Sequence, residues 1–234
     1  MSQFERSELI FGADGIKKLN DSHIAVFGIG GVGSFVCEAL CRQGIGTLTF
    51  VDCDTVSESN LNRQLVALHS TIGMKKTEVM KNRCIDINPN VKIHAVDCFF
   101  DKSTCNNIDF DSFDYIVDCI DTVTSKLLLA EIATKEKIPI ISSMGTGNKL
   151  EPTRFQISDI SKTVMCPLAR VMRRELKERH IFKLKVLWSD EKPVKTDGNR
   201  DENGKSTPGS VSFVPSVAGL IIAGEVIKDI LNKR

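Results

Sequence analysis

Apolar and polar positions along the chain alternate between two rhythms. Residues 23–30 (HIAVFGIG) form a continuous apolar, β-branched run ending on glycines, the pattern of a strand buried on both faces. Residues 32–43 (VGSFVCEALCRQ) change to helical spacing and stop at Gly44. TLTFVDCD (47–54) predicts a second strand closing on carboxylates. Helical stretches follow near 60–68 and 74–87, the second closed by Asn88-Pro89. KIHAVDCFF (92–100), DYIVDCID (114–121) and PIISSMG (139–145) add three strands, with a helix over 123–137. Apolar strands separated by helices predict an α/β fold with a doubly wound, mostly parallel Rossmann-like sheet.

Beyond residue 146 the rhythm changes. RFQISDI (154–160) and KLKVLWSD (183–190) read as strands of an antiparallel C-terminal extension, with a helix over 167–180 between them. The stretch 191–209 is polar and rich in Gly, Asn, Asp and Pro, which predicts a mobile loop. Residues 210–231 predict a short strand and then a closing helix. The expected organisation is one domain over 1–234, with a nucleotide-binding half (1–145) and an extension (146–234). No internal repeat is visible.

Composition narrows this little. The 234 residues carry 31 Lys plus Arg against 30 Asp plus Glu, so net charge indicates no class of partner. Charge is clustered locally, however: from Lys162 to Lys185 eight cations face two anions, Glu175 and Glu178, a candidate phosphate footprint. The eight cysteines contain no C-x-x-C pair, which argues against a zinc ribbon and predicts small buried hydrophobes in a reducing compartment. No stretch reaches the ~20 apolar residues of a membrane span, and the first residues, MSQFERSELIFG, lack a signal-peptide apolar core. A cytoplasmic protein without membrane contact is expected.

The chemistry starts at VFGIGGVG (26–33). Gly28, Gly30 and Gly33 fit G-x-G-x-x-G between a predicted strand and a predicted helix, where backbone approaches a phosphate and the helix N-terminus favours an anion. Asp52, at the end of the second strand, can accept ribose hydroxyls. NAD and ATP both satisfy these features. The next residues separate them: Asp54, Asn60, Asn62, Arg63 and Gln64 follow, then Lys76 at the start of the next helix. A cationic, amide-rich cluster suits a triphosphate, whose oxygens need charged donors. Asp121, in DCID, stands where open α/β sheets bind ligands and could hold Mg²⁺.

GIGGVGS, D-x-D-T-V-S-x-S-N-L-N-R-Q, the later lysine and D-x-I-D together resemble the adenylating superfamily of ThiF, MoeB and the ubiquitin-activating enzymes. NLNRQ, the INP turn (87–89), SDISKT (158–163) with PLA (167–169), and SVSFVPSVAGLIIAGEVI (210–227) extend the resemblance over nearly the whole chain. They make it similar to the branch that dehydrates threonylcarbamoyladenosine in tRNA. The resemblance implies that Gly28, Gly30, Gly31 and Gly33 line the nucleotide and Asp52 holds the ribose. It implies phosphate contacts from Asn60, Arg63 and Lys76, and a metal at Asp121. In the superfamily an arginine near the N-terminus reaches the partner subunit's phosphates; Arg6 is the matching residue, which implies a homodimer.

The implied reaction is ATP- and Mg²⁺-dependent cyclisation through an acyl-adenylate of the threonyl carboxylate. A monovalent cation ordering the C-terminal region and a cysteine-desulfurase or sulfur-acceptor system are further candidates for cofactor and partner. Attack within one modified nucleoside requires no enzymic nucleophile, so Cys166, before Pro167, reads as structural. Three alternatives remain: adenylation of a ubiquitin-like sulfur carrier, for which the absent C-x-x-C pairs count against this chain; an NAD(P)-dependent oxidoreductase; and a nucleotide-binding regulatory module without turnover, against which the full set of phosphate and Mg²⁺ residues counts.

Overall fold

The computed structural model describes residues 3–196 and 207–232. Seven strands form one sheet: β1 (His23–Phe27), β2 (Thr47–Val51), β3 (Lys92–Val96), β4 (Tyr115–Asp118), β5 (Ile140–Ser143), β6 (Phe155–Asp159) and β7 (Lys185–Ser189). Their order is β3-β2-β1-β4-β5-β7-β6. Every pairing is parallel except that of β6 with β7. The expected fold class holds, with the antiparallel element confined to edge strand β6. The order reverses between β1 and β4, and ligands of open α/β sheets bind at the carboxyl ends of strands at such a point.

Burial follows sequence. The central β1 is flanked on both sides, and Ile24, Ala25, Val26 and Phe27 are fully buried. The helices are α1 (Glu5–Asn20), α2 (Gly33–Arg42), α3 (Lys76–Ile87), α4 (Val123–Lys135), α5 (Pro167–Glu178) and α6 (Phe213–Leu231). Helix α6 is apolar on most of its surface because it is buried: Ala218, Ile222, Ala223 and Val226 join α2 residues Val36, Cys37 and Leu40 in the main core. A second cluster, with Phe27 packed on Phe100, covers another part of the sheet. A third joins α5, through Met172 and Leu176, to Trp188 of β7.

Several expectations need correction. Residues 60–68 are not a helix; a single 3-10 turn, Glu58–Asn60, leads into turns. No strand precedes α6, because Ser212 already has helical dihedrals. The strands stop earlier than their apolar runs, so Asp52 follows β2, and Asp121 lies beyond β4 rather than at its last residue. Helix α1 was not expected from the pattern; it is interrupted at Gly12 (φ 77°), which breaks the periodicity. Of the expected loop 191–209, residues 197–206 lie outside the described residues. Cys37, Cys41, Cys84 and Cys166 are buried as expected, whereas Cys53, Cys98, Cys105 and Cys119 are half-buried.

Candidate nucleotide site

The turn from β1 into α2 can be made only by glycine at two points. Gly28 has φ +89°, and a Cβ there would lie 2.8 Å from the Cys119 carbonyl oxygen, after β4. At Gly33 an added Cβ would lie 1.8 Å from the carbonyl oxygen of Gly28. The loop is thereby closed on itself and pressed against the 119–121 segment at the switch point. Asp52 ties it from the other side. Its carboxylate accepts the Ile29 N–H at 2.6 Å and the Asp54 N–H at 2.8 Å, one on each oxygen. A carboxylate has about four acceptor positions, so two remain for ribose hydroxyls.

The turn 57–64 brings the amide and cationic groups alongside. Asn60 is buried; its Oδ1 accepts the Ser57 N–H at 3.1 Å, and its carbonyl accepts the N–H groups of Arg63 and Gln64. Arg63 Nη1 donates to the Ser59 carbonyl and to Asn62 Oδ1, both at 2.8 Å. A Cβ placed on Gly31 would lie 3.5 Å from Arg63 Cγ and 3.2 Å from Pro215 Cβ, so Arg63 and the start of α6 flank the loop. Asn62 Nδ2 donates to the Ser210 carbonyl at 3.0 Å, joining this turn to the segment before α6. Gln64 is buried beside Gly30, and its Oε1 has no hydrogen-bond partner among the described residues. An orphaned buried acceptor is expensive unless a ligand completes it.

Lys76 opens α3 and is 5% exposed; its Nζ donates to Asp54 Oδ2 at 2.7 Å, while the Asp54 side chain is 61% exposed. The ammonium is thus aimed by a partner that remains in water. Asp121 is exposed and, among the described residues, accepts only a long contact, 3.4 Å, from Thr122 Oγ1. Its all-oxygen, loosely engaged carboxylate fits Mg²⁺, which commonly takes one or two carboxylates plus substrate phosphates. Asp52, Cys53 and Asp54 also bring donor atoms within 4.8 Å of one another, but the two carboxylates are engaged, Asp52 by N–H groups and Asp54 by Lys76. Sequence reasoning missed Asp118 and Lys126, an ion pair buried beneath the Asp121 turn; the signal was the first aspartate of DCID and a lysine in the apolar helix that follows.

Arg6 is not part of this cluster within one chain. Phe4 packs on Gly44, just ahead of β2 and hence at the amino ends of the strands, whereas the glycine loop lies at their carboxyl ends. Cys166 is 3% exposed and lies 3.7 Å from a Cβ built on Gly145.

Burial raises the Asp52 carboxyl above the usual aspartate range, opposed by the Lys76 ammonium and by the Asp54 and Ile29 N–H groups. Ribose hydroxyls donate to the charged form, so affinity falls as pH drops through this raised pKa. Adenosine affinity is expected to weaken on acidification at a higher pH than an ordinary aspartate, near 3.9, would give. Titration calorimetry of wild type and Asp52→Asn checks this: the variant is expected to lose that acid limb, and an identical limb in both contradicts the assignment.

A glycine loop at the switch point, a carboxylate just after β2, and Arg63 and Lys76 on the segments that follow are the arrangement of a nucleotide-binding type of α/β protein. The chain belongs to the ThiF family, whose profile matches residues 4–234. It is 45% identical to the tRNA threonylcarbamoyladenosine dehydratase of Bacillus subtilis, over 99% of this chain and 96% of that protein. The crystal structure of Escherichia coli tRNA N6-threonylcarbamoyladenosine dehydratase, TcdA, in complex with AMP is similar with a TM-score of 0.90, at 32% identity, covering 99% of this chain and 94% of that one. The complex of the same enzyme with ATP gives a TM-score of 0.89 at 31% identity, with coverage of 99% and 94%. Among the described residues no helix is long and apolar enough to cross a membrane.

Proposed function

We propose that the protein is an ATP-dependent, AMP-forming enzyme that dehydrates N6-threonylcarbamoyladenosine in tRNA. The convergence of Asp52, Arg63 and Lys76 on the glycine loop, beside Asp121, carries this reading. A carboxylate resists nucleophiles because of its own charge, and joining it to AMP turns an oxygen into a leaving group. The chain's task is to neutralise charge on the α-phosphate during in-line attack. Asp52 fixes the ribose, the loop N–H groups and α2 N-terminus face the phosphates, and Asn60, Gln64, Arg63 and Lys76 supply donors. Mg²⁺, held by Asp121, would add charge neutralisation across phosphate oxygens. Once the acyl group is activated, an atom of the same nucleoside closes the ring and AMP leaves, so proximity supplies much of the rate.

Incubation with ATP, Mg²⁺ and tRNA bearing the modification is expected to give pyrophosphate and a nucleoside lighter by one water. Turnover only with a sulfur-carrier protein supports the alternative substrate and overturns this one; reduction of a nicotinamide overturns both. For the tRNA, α5 offers a cationic face. Arg170, Arg173, Arg174 and Lys177 border a cavity of about 420 Å³ that Phe182 also lines. The run is less charged than its sequence implies, because Arg179 pairs with Glu131, and Lys185 with Glu225 and Asp229.

The enzyme acts as a homodimer in which Arg6 crosses to the partner's phosphates. Leu9, one helical turn from Arg6 and 85% exposed, supplies apolar surface for that contact. Mixing Arg6→Ala with Lys76→Met chains should therefore restore activity. Random assortment gives about a quarter of the sites both a native Lys76 and a native Arg6, hence about a quarter of wild-type turnover. No recovery after mixing and reassociation contradicts action in trans.

A further inference from the structure

The most deeply buried charges described in the protein belong to no step above. Lys126 is fully buried and Asp118 is 1% exposed, with Nζ to Oδ2 at 2.9 Å. All three ammonium donors are used, the other two on the carbonyls of Ile120 (3.1 Å) and Ser143 (2.9 Å). Asp118 accepts the Ile120 N–H at 3.1 Å on one oxygen and the Ser142 hydroxyl on the other. Ile120 is thus gripped by both of its backbone polar groups, immediately before Asp121, and the grip is anchored to the end of β5.

Stability does not account for this arrangement. Taking two charges out of water commonly costs more than their attraction returns, and apolar replacements of similar volume are often as stable or more so. Lys126 also sits near the N-terminal end of α4, where the helix dipole disfavours a cation. The pair does, however, tie down Ile120 in the 118–122 turn, whose Cys119 and Ile120 backbone packs against Gly28 and which carries Asp121.

We propose that Asp118 and Lys126 are positioning residues that hold Asp121 at the geometry required to take the metal of a metal–nucleotide complex, and that Ser142 and Ser143 join this support. The inference rests on the reading of Asp121 as the metal-binding carboxylate. Supporting groups behind a metal ligand act by restricting its orientation, and their loss typically costs about 10–100-fold in metal affinity or activity.

The test replaces both charges together, as Asp118→Asn/Lys126→Met, so that no lone charge is left buried. ATP binding is measured by calorimetry in EDTA and across a Mg²⁺ titration. The expected result is unchanged affinity in EDTA and a Mg²⁺ half-saturation raised about tenfold or more. Asp121→Asn added to the double variant is expected to cause little further change, because the two effects share one element. A folded double variant with wild-type Mg²⁺ half-saturation overturns the inference, since a merely structural role moves melting temperature alone. If the double variant does not fold, Ser142→Ala decides: the same shift at smaller size supports the inference, and no shift overturns it. Wild-type protein with no Mg²⁺ dependence, or unaffected by Asp121→Asn alone, instead refutes the reading of Asp121 and takes the inference with it.

Discussion

Lys76→Met is expected to slow pyrophosphate release by about a hundred- to a thousandfold while leaving the fold intact, the loss typical of removing one preorganised charge-stabilising donor. The reason for both halves lies in the geometry. The ammonium is 5% exposed and ready-oriented by Asp54 at 2.7 Å, so it meets a phosphate without reorganising. Methionine keeps the apolar stem in its buried slot, and Asp54, 61% exposed, stays hydrated after its partner is gone. A pair with one such solvated member contributes little to stability. Single-turnover pyrophosphate release with a parallel thermal melt checks the prediction. A loss of only a few fold, or a collapse of melting temperature that accounts for the loss, contradicts the role given to Lys76.

Gly33→Ala is expected to remove measurable ATP binding and to destabilise the chain by about 3 kcal/mol, the upper range for forcing atoms into filled space. A methyl group there would lie 1.8 Å from the Gly28 carbonyl oxygen, so the turn must open. Gly28 cannot move away freely, because its own Cβ position faces the Cys119 carbonyl at 2.8 Å. Displacement therefore propagates to the segment carrying Asp121. Gly30→Ala is the control: its methyl meets nothing nearer than Gln64 Nε2 at 3.9 Å, so melting should stay near wild type. Calorimetric titration with ATP and thermal melts of both variants test the contrast. Wild-type melting and ATP affinity in Gly33→Ala would contradict the close contact on which the loop is built.

Much of this was legible in the order of residues because strands and anion loops have local signatures. HIAVFGIG announces a buried strand and a tight turn without reference to anything distant, and the turn does follow Phe27. The charged and amide residues after Asp52 could be named from sequence, but the backbone that carries them could not. NLNRQ looks helical by composition, yet Asn60 spends its side chain on the Ser57 N–H and its carbonyl on two successive N–H groups, which favours a compact turn. Helix α1 escaped because Gly12 resets the phase of its apolar positions. The Asp118–Lys126 pair escaped for a different reason. A lysine within an apolar helix normally lies along the surface with its charge in water, and only the approach of β5 reveals that this one is fully enclosed. The charge run 162–185 was overestimated on the same ground, since Glu131, Glu225 and Asp229 arrive from distant parts of the chain.

The central claim is that this pocket transfers AMP to a carboxylate of the substrate, and isotope placement tests it most directly. The threonyl carboxylate of the modified tRNA is labelled with ¹⁸O, the protein is allowed to turn over with unlabelled ATP and Mg²⁺, and the released nucleotides and phosphates are examined by mass spectrometry. The account predicts one ¹⁸O atom in AMP and none in pyrophosphate. Label appearing in inorganic phosphate alongside ADP, or remaining wholly outside AMP, would contradict it.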